Sequence, residues 1–285
     1  MSDGIRERII NSFEGLSPKQ RDLARLLLDH EEVAAFASSQ EIANQVGTSA
    51  ATVVRFSRAL GYQGYEDLQA AVRAGFPRTR TVAQKMAERI ADGHPADRLA
   101  RKVAQASVYN VQETLSRIGQ AELAVAVDAV IRARQIYVLG SGLSSAAAVL
   151  AEHTLTSLGF SARALLNGGI GQALQMSHLT ADDLVIGISL WRYIRSTVAA
   201  AETARHAGAT VIALTDSPVA PIVGLADVVF VAETEGAAHS RSLAGILAVI
   251  DLLGAAVAAR RPEASMAAIE RIDRLYRQND LLLAD

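Results

Sequence analysis

SSQEIANQVGTSAATVVRFSRAL, residues 38–60, is typical of two short helices joined by a tight turn. Either Ser38 or Ser39 can cap the first helix by accepting hydrogen bonds from its free N–H groups. Gly47 supplies the permissive backbone that the turn requires, and Ser49 is placed to cap the second helix. The stretch therefore predicts a helix–turn–helix.

The second helix separates into an inward face and an outward face. Val53, Phe56 and Leu60 fall at helical spacing and are expected to pack inward. A recognition helix meets base edges in the major groove through small and hydroxyl side chains, and arginine can bond guanine or phosphate. No Asp or Glu between residues 42 and 65 opposes such contacts. The predicted DNA-binding residues are Thr48, Ser49, Ala51, Thr52, Arg55 and Arg58.

The run TSAATVVRFSRALGYQGYEDLQ, residues 48–69, resembles the N-terminal domain of the RpiR family of bacterial transcription regulators. In that family a T-V-x-R-F helix precedes a Leu-Gly-aromatic-x-Gly-aromatic turn. The resemblance extends to Leu16-Ser17-Pro18, where Pro18 suits the first position of a helix. It implies a domain over residues 1–77 that binds double-stranded DNA; a three-helix domain that binds protein is the alternative. The matching positions are Thr52, Val53, Arg55, Phe56, Leu60, Gly61, Tyr62, Gly64 and Tyr65.

Composition bounds the remaining possibilities. The chain has 285 residues, which exceeds the length of one average domain, and half of them are hydrophobic, which is enough for a sizeable core. Its net charge of −2 means that DNA affinity must come from a local surface. The absence of cysteine excludes disulfides and thiolate metal sites, and the six histidines show no metal-ligand spacing, so no metal or cofactor is expected. Without a signal sequence or an apolar run of membrane length, a cytoplasmic protein is expected, with no membrane partner.

The second half alternates helices with short runs rich in β-branched residues. Residues 78–120 are helical in pattern but break at residues 92–95, and we interpret them as a helical linker. Residues 121–262 show a βαβ rhythm, which predicts a five-stranded parallel sheet covered by helices on both faces. In such a sheet, ligands bind at the carboxyl ends of the strands. The predicted strands are 136–139, 161–165, 184–188, 210–214 and 227–231.

One loop at this edge has the character of an anion site. Gly140-Ser141-Gly142-Leu143-Ser144-Ser145 follows a predicted strand and precedes a helix. Its glycines let backbone N–H groups approach a ligand, its serines add hydroxyl donors, and the helix dipole favours negative charge. It lacks the third glycine of a dinucleotide fingerprint, which disfavours NAD or FAD. A tight turn without a ligand is the alternative.

The order of elements, with GATVIALTDSPVAPIVGLADVVF at residues 208–230, resembles the SIS (sugar isomerase) fold. The resemblance implies an α + α/β chain, with an all-helical reader followed by an effector domain that binds phosphosugars. SIS domains usually hold the phosphate with Ser-x-Ser-Gly-x-Thr after the third strand, but residues 189–194 read SLWRYI. Trp191, Arg192 and Ile194 therefore stand where serine, glycine and threonine would bond the phosphate.

Two explanations of this departure compete: the site is lost, or it is rebuilt around Arg192 and Arg195. A guanidinium can hold a phosphate or carboxylate bidentately, and Trp191 or Tyr193 can stack on a ring or cover the pocket. Glu233, after the last strand, is a further candidate contact. The prediction is a small anionic effector, either a sugar phosphate or a carboxylate. Its expected contacts are Gly140, Ser141, Gly142, Ser144, Ser189, Arg192, Arg195 and Glu233.

A sugar-phosphate isomerase or related SIS enzyme is the alternative function. Such enzymes use a carboxylate or histidine to move protons, but none of the candidates lies in a catalytic motif, so no catalytic residue is predicted. The chain is expected to be a ligand-responsive transcription regulator instead. The residues weighed for catalysis are Glu152, His153, Glu233, Glu235 and His239.

The last two predicted helices concern assembly. Residues 241–259 are apolar on nearly every face, so this helix must be buried against the sheet or a second subunit, and Asp251 argues against a membrane span. Residues 263–285 repeat apolar side chains at helical spacing and are interpreted as a dimerisation helix. Two readers on a palindromic site add their binding energies, which favours a homodimer or a larger homo-oligomer.

Overall fold

The computed structural model describes residues 3–29, 34–35, 37–75, 96–191, 193–218, 220–236 and 241–281. The chain forms two compact units, residues 1–93 and residues 94–285. None of the described helices has both the length and the apolar character that a bilayer span requires.

The described part of the N-terminal unit is helical. Helix α2 begins at Pro18, as predicted, and the N–H group of Ser17 donates to Gln20 Oε1 at 2.9 Å. The helices are α1 (Asp3–Ser12), α2 (Pro18–Asp29), α3 (Ser39–Val46), α4 (Ala50–Ala59) and α5 (Tyr65–Gly75).

The turn between α3 and α4 is formed by its own local chemistry. Ser38 caps α3: its Oγ accepts from the N–H of Glu41 at 3.3 Å, and Glu41 Oε2 accepts from the N–H of Ser38 at 2.6 Å. Gly47 ends α3 in the left-handed region at φ 64°, which favours glycine. Ser49 caps α4 by accepting from the N–H of Thr52 at 3.3 Å. The predicted helix–turn–helix is confirmed.

The core of this unit holds α4 in place. Val53, Phe56 and Leu60 are buried, as the spacing predicts. The hydroxyl of Tyr65, at the start of α5, donates to the carbonyl of Ala37 at 2.6 Å and so ties α5 to the chain that enters α3. The other large side chains that are fully buried in this unit include Ile5, Ile9, Leu23, Leu27, Ile42 and Leu68.

The second unit is a five-stranded parallel sheet covered by helices. The strand order is β2-β1-β3-β4-β5, and every neighbouring pair is parallel, which confirms the predicted sheet. The elements in chain order are α6 (Ala96–Ser116), α7 (Gln120–Arg132), β1 (Ile136–Gly140), α8 (Ser144–Ser157), β2 (Ala162–Leu165), α9 (Ile170–Met176), β3 (Leu184–Ser189), α10 (Arg195–His206), β4 (Thr210–Thr215), β5 (Val228–Val231), α11 (Ala244–Arg260) and α12 (Pro262–Gln278).

Each face of the sheet has its own hydrophobic core. Helices α7, α8 and α11 cover one face, where Ile186 and Leu214 point, and α9 and α10 cover the other, where Val185 and Ala213 point. The inward side of α11 packs on the sheet, while Asp251 is exposed on its outward side. The prediction that this apolar helix is buried against the sheet is confirmed.

Helix α6 is anchored to the segment that follows β5. The buried side chain of Asn110 donates through Nδ2 to the carbonyl of Glu235 at 2.8 Å and accepts through Oδ1 from its N–H at 3.1 Å. Thr114 Oγ1 accepts from the N–H of Glu233 at 2.9 Å. The described part of the predicted linker, from residue 96, is therefore packed within the second unit. The part of the predicted linker that precedes its break at residues 92–95 lies outside the described residues, and the domain boundaries stay predictions.

Candidate DNA-reading and effector sites

The six predicted DNA contacts lie along the turn before α4 and on α4 itself. Ser49, Ala51, Arg55 and Arg58 are exposed, and Thr48 and Thr52 are half-buried. Within this row Thr52 Oγ1 accepts from Arg55 Nη2 at 2.9 Å and lies 3.0 Å from Ser49 Oγ. Thr52, in the N-terminal half of the helix, therefore orients Arg55 near its middle, next to the residues through which a recognition helix contacts bases.

Arg58 has a local structural contact as well. Its Nε donates to the carbonyl of Gln63 at 3.2 Å, across the turn that follows α4. Lys19 Nζ donates to the carbonyl of Val46 at 3.1 Å and stabilises the end of α3, which carries the negative end of the helix dipole. Because Arg58 is bonded to the backbone of the turn after α4, Arg55 is the better candidate for base reading.

In the second unit, the loops after β1 and β3 meet at the carboxyl edge of the sheet. The two strands are neighbours, with Gly140 opposite Ile188. Gly142 has φ +61°, and a Cβ built on it would lie 3.4 Å from Ile194 Cδ1, so the loops approach closely. The N-terminus of α8 and that of α10 both open at this edge, and neither has a side-chain cap. Two helix dipoles thus present their positive ends to one region.

The serines of the β1 loop are engaged by backbone groups. Ser141 Oγ donates to the carbonyl of Leu166 at 3.0 Å, and Ser145 Oγ donates to the carbonyl of Gly142 at 2.7 Å. Ser144 is buried at the first position of α8. These contacts shape the loop, so its backbone N–H groups are the candidate donors to a ligand.

The β3 loop contains an unsatisfied polar group. Ser189 is buried at the end of β3, and its Oγ has no hydrogen-bond partner among the described residues. Its carbonyl accepts from Thr215 Oγ1 at 2.7 Å. Arg195 is exposed at the first position of α10, and Arg192 lies outside the described residues. A buried hydroxyl without a partner is costly to the free protein and suits a ligand contact.

Asp216, which directly follows β4, also faces this loop. Its Oδ2 accepts from the backbone N–H of Trp191 at 3.1 Å, while its Oδ1 is buried and has no partner among the described residues. Burial raises the pKa of the Asp216 carboxyl, and the positive charge of Arg241 opposes that rise. Burial, followed by the negative charge of Asp216, raises the pKa of the neighbouring Tyr193 hydroxyl.

Arg241 closes the far side of this cluster. Its Nη1 donates to Thr234 Oγ1 at 3.1 Å, and its guanidinium carbon lies 5.9 Å from the centroid of the Trp191 ring, within cation–π range. Ser242, next to it, accepts through Oγ from the N–H of Ala244, the first residue of α11, at 3.2 Å. Sequence reasoning missed Asp216 and the Arg241–Trp191 contact. The signal available for Asp216 was a carboxylate directly after a buried parallel strand.

The structure describes four of the five residues weighed for catalysis. The Glu233 carboxylate forms an ion pair with Arg117 at 2.5 Å, and Glu235 is exposed. Glu152 and His153 lie on α8, half-buried and exposed respectively, and His239 lies outside the described residues. Across the part of the chain that the structure describes, no three His, Asp or Glu side chains form a group that could hold a metal ion.

A cavity of about 680 Å³ lies at the opposite, amino edge of the sheet. Charged side chains line it, and three of them form ion pairs, although Asp183 Oδ1 is buried and has no partner among the described residues. Arg205 contacts Asp227 at 3.2 Å, and Asp183 accepts from Arg134 at 2.8 Å. The carboxyl edge has unpaired polar atoms and, in addition, two helix N-termini without side-chain caps, so it is the better candidate for the effector site.

Comparison with protein families gives two matches that cover different parts of the chain. A helix-turn-helix domain of the rpiR family matches residues 3–77, and the SIS domain matches residues 129–259. The transcriptional regulator HexR of Pseudomonas aeruginosa is 27% identical over 262 residues, which span 90% of this chain and 90% of HexR.

Two solved structures resemble the chain. The sugar isomerase domain of an RpiR transcription factor from Sphaerobacter thermophilus is 40% identical, with a TM-score of 0.60, over 61% of this chain and 98% of that domain. NanR of Vibrio vulnificus, solved in complex with ManNAc-6P, is 24% identical, with a TM-score of 0.65, over 98% of this chain and all of NanR. At that identity the likeness to NanR concerns the fold.

Proposed function

This chain belongs to the RpiR family of helix–turn–helix transcription regulators, and we propose that a small anionic metabolite, bound at the carboxyl edge of its sheet, controls how it binds DNA. The chain is a DNA-binding regulator whose reader is the N-terminal unit. The second unit has the SIS fold. The proposal concerns the effector, its site and the residues that contact it.

The buried, unpartnered hydroxyl of Ser189 is the observation that carries the effector site. It lies at the end of β3, next to the uncapped N-termini of α8 and α10, where the dipoles favour an anion. Arg195, exposed at the start of α10, adds a full positive charge. An effector with a phosphate or carboxylate group, bound at this edge, would contact both loops. The phosphosugar complex of the structurally similar NanR supports a sugar phosphate as the first class to test.

The side chains support a second unit that binds the effector without isomerising it. Isomerisation of a sugar phosphate needs a free acid or base at the reacting carbons. Glu233 is engaged by Arg117, and His153 is exposed on α8. We therefore place Glu233 as a support for the loop after β5, stabilised together with α6, and assign no catalytic residue.

Assembly of two or more copies is part of the proposal. Helix α12 exposes Met266, Ile269 and Leu275, with 62, 46 and 51% of each side chain's surface accessible. Such side chains on one helix support a contact with a second copy, and a dimer would present two readers to one operator. Sedimentation velocity on the full chain tests this, and a monomer at operator-binding concentrations would contradict it.

The test of the function is operator binding of the full chain at fixed, near-physiological salt, because unspecific binding depends strongly on salt. The upstream intergenic region of the gene is compared with a scrambled duplex of equal length, with and without a panel of sugar phosphates. We expect preference for the native sequence and a change in that preference with one phosphosugar. Equal binding to both duplexes would contradict sequence-specific regulation.

Arg55→Ala is expected to weaken specific operator binding by about 1–3 kcal/mol, because a bidentate contact to a base contributes roughly that much discrimination. Binding to the scrambled duplex should change much less. The measurement is the ratio of the two dissociation constants. Arg25→Ala is the control, since Arg25 is an exposed arginine of α2 that pairs with Asp22. An unchanged ratio in Arg55→Ala would remove Arg55 from the reading surface.

Arg195→Ala is expected to raise the phosphosugar concentration that gives half of the operator response roughly tenfold, because a charged hydrogen bond contributes about 1.5–3 kcal/mol. Arg205→Ala is the matched control at the other end of α10, where the arginine pairs with Asp227. The measurement is the same operator assay titrated with the active phosphosugar. Equal responses of the two variants would place the anion elsewhere.

A further inference from the structure

The loop after β3 already has an anion at one of its backbone donors. The N–H of Trp191, the third residue of the altered segment, donates to Asp216 Oδ2 at 3.1 Å. A ligand phosphate held by this loop would need the same N–H group. The carboxylate of Asp216 therefore stands in the position that the ligand's anionic group would otherwise take.

The second oxygen of the same carboxylate has no partner. Asp216 Oδ1 is buried and makes no hydrogen bond to any described residue. The Tyr193 hydroxyl and the positive charge of Arg241 lie against this carboxylate and favour its ionised form, and Arg241 donates one of its N–H groups to Thr234 Oγ1. An unpartnered carboxylate oxygen is a pure acceptor, so what it lacks is a donor.

Charge decides what can approach it. A second anion at the Trp191 amide would lie beside the Asp216 carboxylate, in a partly buried place where like charges repel strongly. A hydroxyl or an ammonium group has no such penalty and can donate to Oδ1. Ser189 is the last residue of β3, the strand next to β4, and its Oγ also has no partner among the described residues. This hydroxyl can take part in the same ligand contact.

We propose that Asp216 determines the specificity of the effector site: it occupies the anion position of the β3 loop, and its Oδ1 accepts a hydrogen bond from a hydroxyl or ammonium group of the effector. The effector's anionic group then lies on the β1 side, at the N-terminus of α8. This inference rests on the proposed effector site and names its ligand class, an anion that also carries a hydrogen-bond donor several bonds away.

The single tryptophan of the chain makes the site observable. Because Trp191 lies in the loop itself, we expect its fluorescence to change when a ligand binds there. Sulfate is the first probe, since at neutral pH it is an anion without a donor. Glucose 6-phosphate and glucosamine 6-phosphate are the second and third probes. Both carry a phosphate, and they differ at one other carbon, where the first has a hydroxyl and the second an ammonium group.

Asp216→Asn keeps the shape, removes the charge and adds an N–H donor. At constant ionic strength, we expect sulfate to bind Asp216→Asn at least tenfold more tightly than it binds the wild-type chain. A phosphosugar that binds the wild type should bind the variant at least tenfold more weakly. Which of the two phosphosugars binds the wild type better tells hydroxyl from ammonium.

Asp227→Asn is the matched control, because Asp227 also accepts from a backbone N–H, that of Val211 at 2.9 Å, but at the amino edge of the sheet. Its sulfate and phosphosugar binding should equal those of the wild type. If Asp216→Asn fails to fold, as judged by circular dichroism, Asp216→Ser provides the same loss of charge with a smaller side chain.

The outcomes distinguish a failure of the role of Asp216 from a failure of the proposed effector site. Equal sulfate binding by the wild type and by the Asp216 variants overturns the role of Asp216 and leaves the anion site standing. No saturable fluorescence change with any of the three probes, in either protein, overturns the proposed effector site and with it this inference.

Discussion

Phe56→Ala is expected to lower the free energy of unfolding of the N-terminal unit by about 3–5 kcal/mol and to abolish operator binding. Phe56 is 1% exposed in the middle of α4, the helix that carries the predicted base contacts. Its removal leaves a cavity beneath the reading surface that the surrounding helices can fill only in part. Since whole domains are stable by about 5–15 kcal/mol, the loss would unfold a large fraction of this unit.

The two units can be followed separately in the full chain. Trp191 is the single tryptophan and lies in the second unit. The midpoint of its thermal fluorescence transition should therefore equal that of the wild type, while the far-UV circular dichroism signal of Phe56→Ala is lost at a lower temperature than that of the wild type. Phe13→Ala is the control. Phe13 is a half-buried phenylalanine of the same unit, with the guanidinium groups of Arg21 and Arg25 near its ring. If Phe56→Ala bound the operator as tightly as Phe13→Ala, the assigned core of the reader would be wrong.

Gly140→Val should have the second largest effect, a loss of about 3 kcal/mol from the stability of the second unit. Gly140 ends β1 under the first turn of α8. A Cβ at this position would lie 2.6 Å from the carbonyl oxygen of Ser144 and 2.8 Å from Ala148 Cβ. Backbone oxygen cannot move away as a flexible side chain would, so α8 must shift and take the effector loop with it.

The variant is measured by the Trp191 fluorescence transition in urea and by the phosphosugar response of operator binding. We expect the transition midpoint to fall and the response to be lost, while operator binding without effector persists because the N-terminal unit is untouched. Gly171→Ala is the control, since a Cβ there meets nothing within 4 Å and a glycine inside α9 gains helix stability on replacement. A fluorescence midpoint for Gly140→Val equal to that of Gly171→Ala would show that the strand-to-helix approach is looser than described.

Local chemistry explains why so much of the reader was predictable. The caps at Ser38 and Ser49 and the left-handed turn at Gly47 depend on residues within a few positions of each other. The inward face of α4 follows from helical spacing, which needs no partner to be recognised. For the same reason the five strands could be located from the alternation of helices with short runs rich in β-branched residues. The loop from Gly140 could be located from its glycine–serine pattern.

Contacts between distant segments were not predictable in this way. The sequence shows neither that Asp216 meets the amide of Trp191 nor that Asn110 holds the backbone of Glu235, 125 positions away. Each contact depends on which elements are neighbours: Asp216 reaches the β3 loop because β4 pairs with β3, and Asn110 reaches its partner because α6 packs on α11.

The sequence by itself thus determined the helix–turn–helix, the parallel sheet and the presence of an altered loop after β3, because periodicity, caps and turn residues act over short distances. Only the tertiary structure decided what that loop holds. It brings the half-buried carboxylate of Asp216 to the Trp191 amide and pairs Glu233, a predicted effector contact, with Arg117. The physical reason is that burial, charge and unsatisfied hydrogen-bonding groups at a site are properties of side chains that the sheet assembles from separate strands.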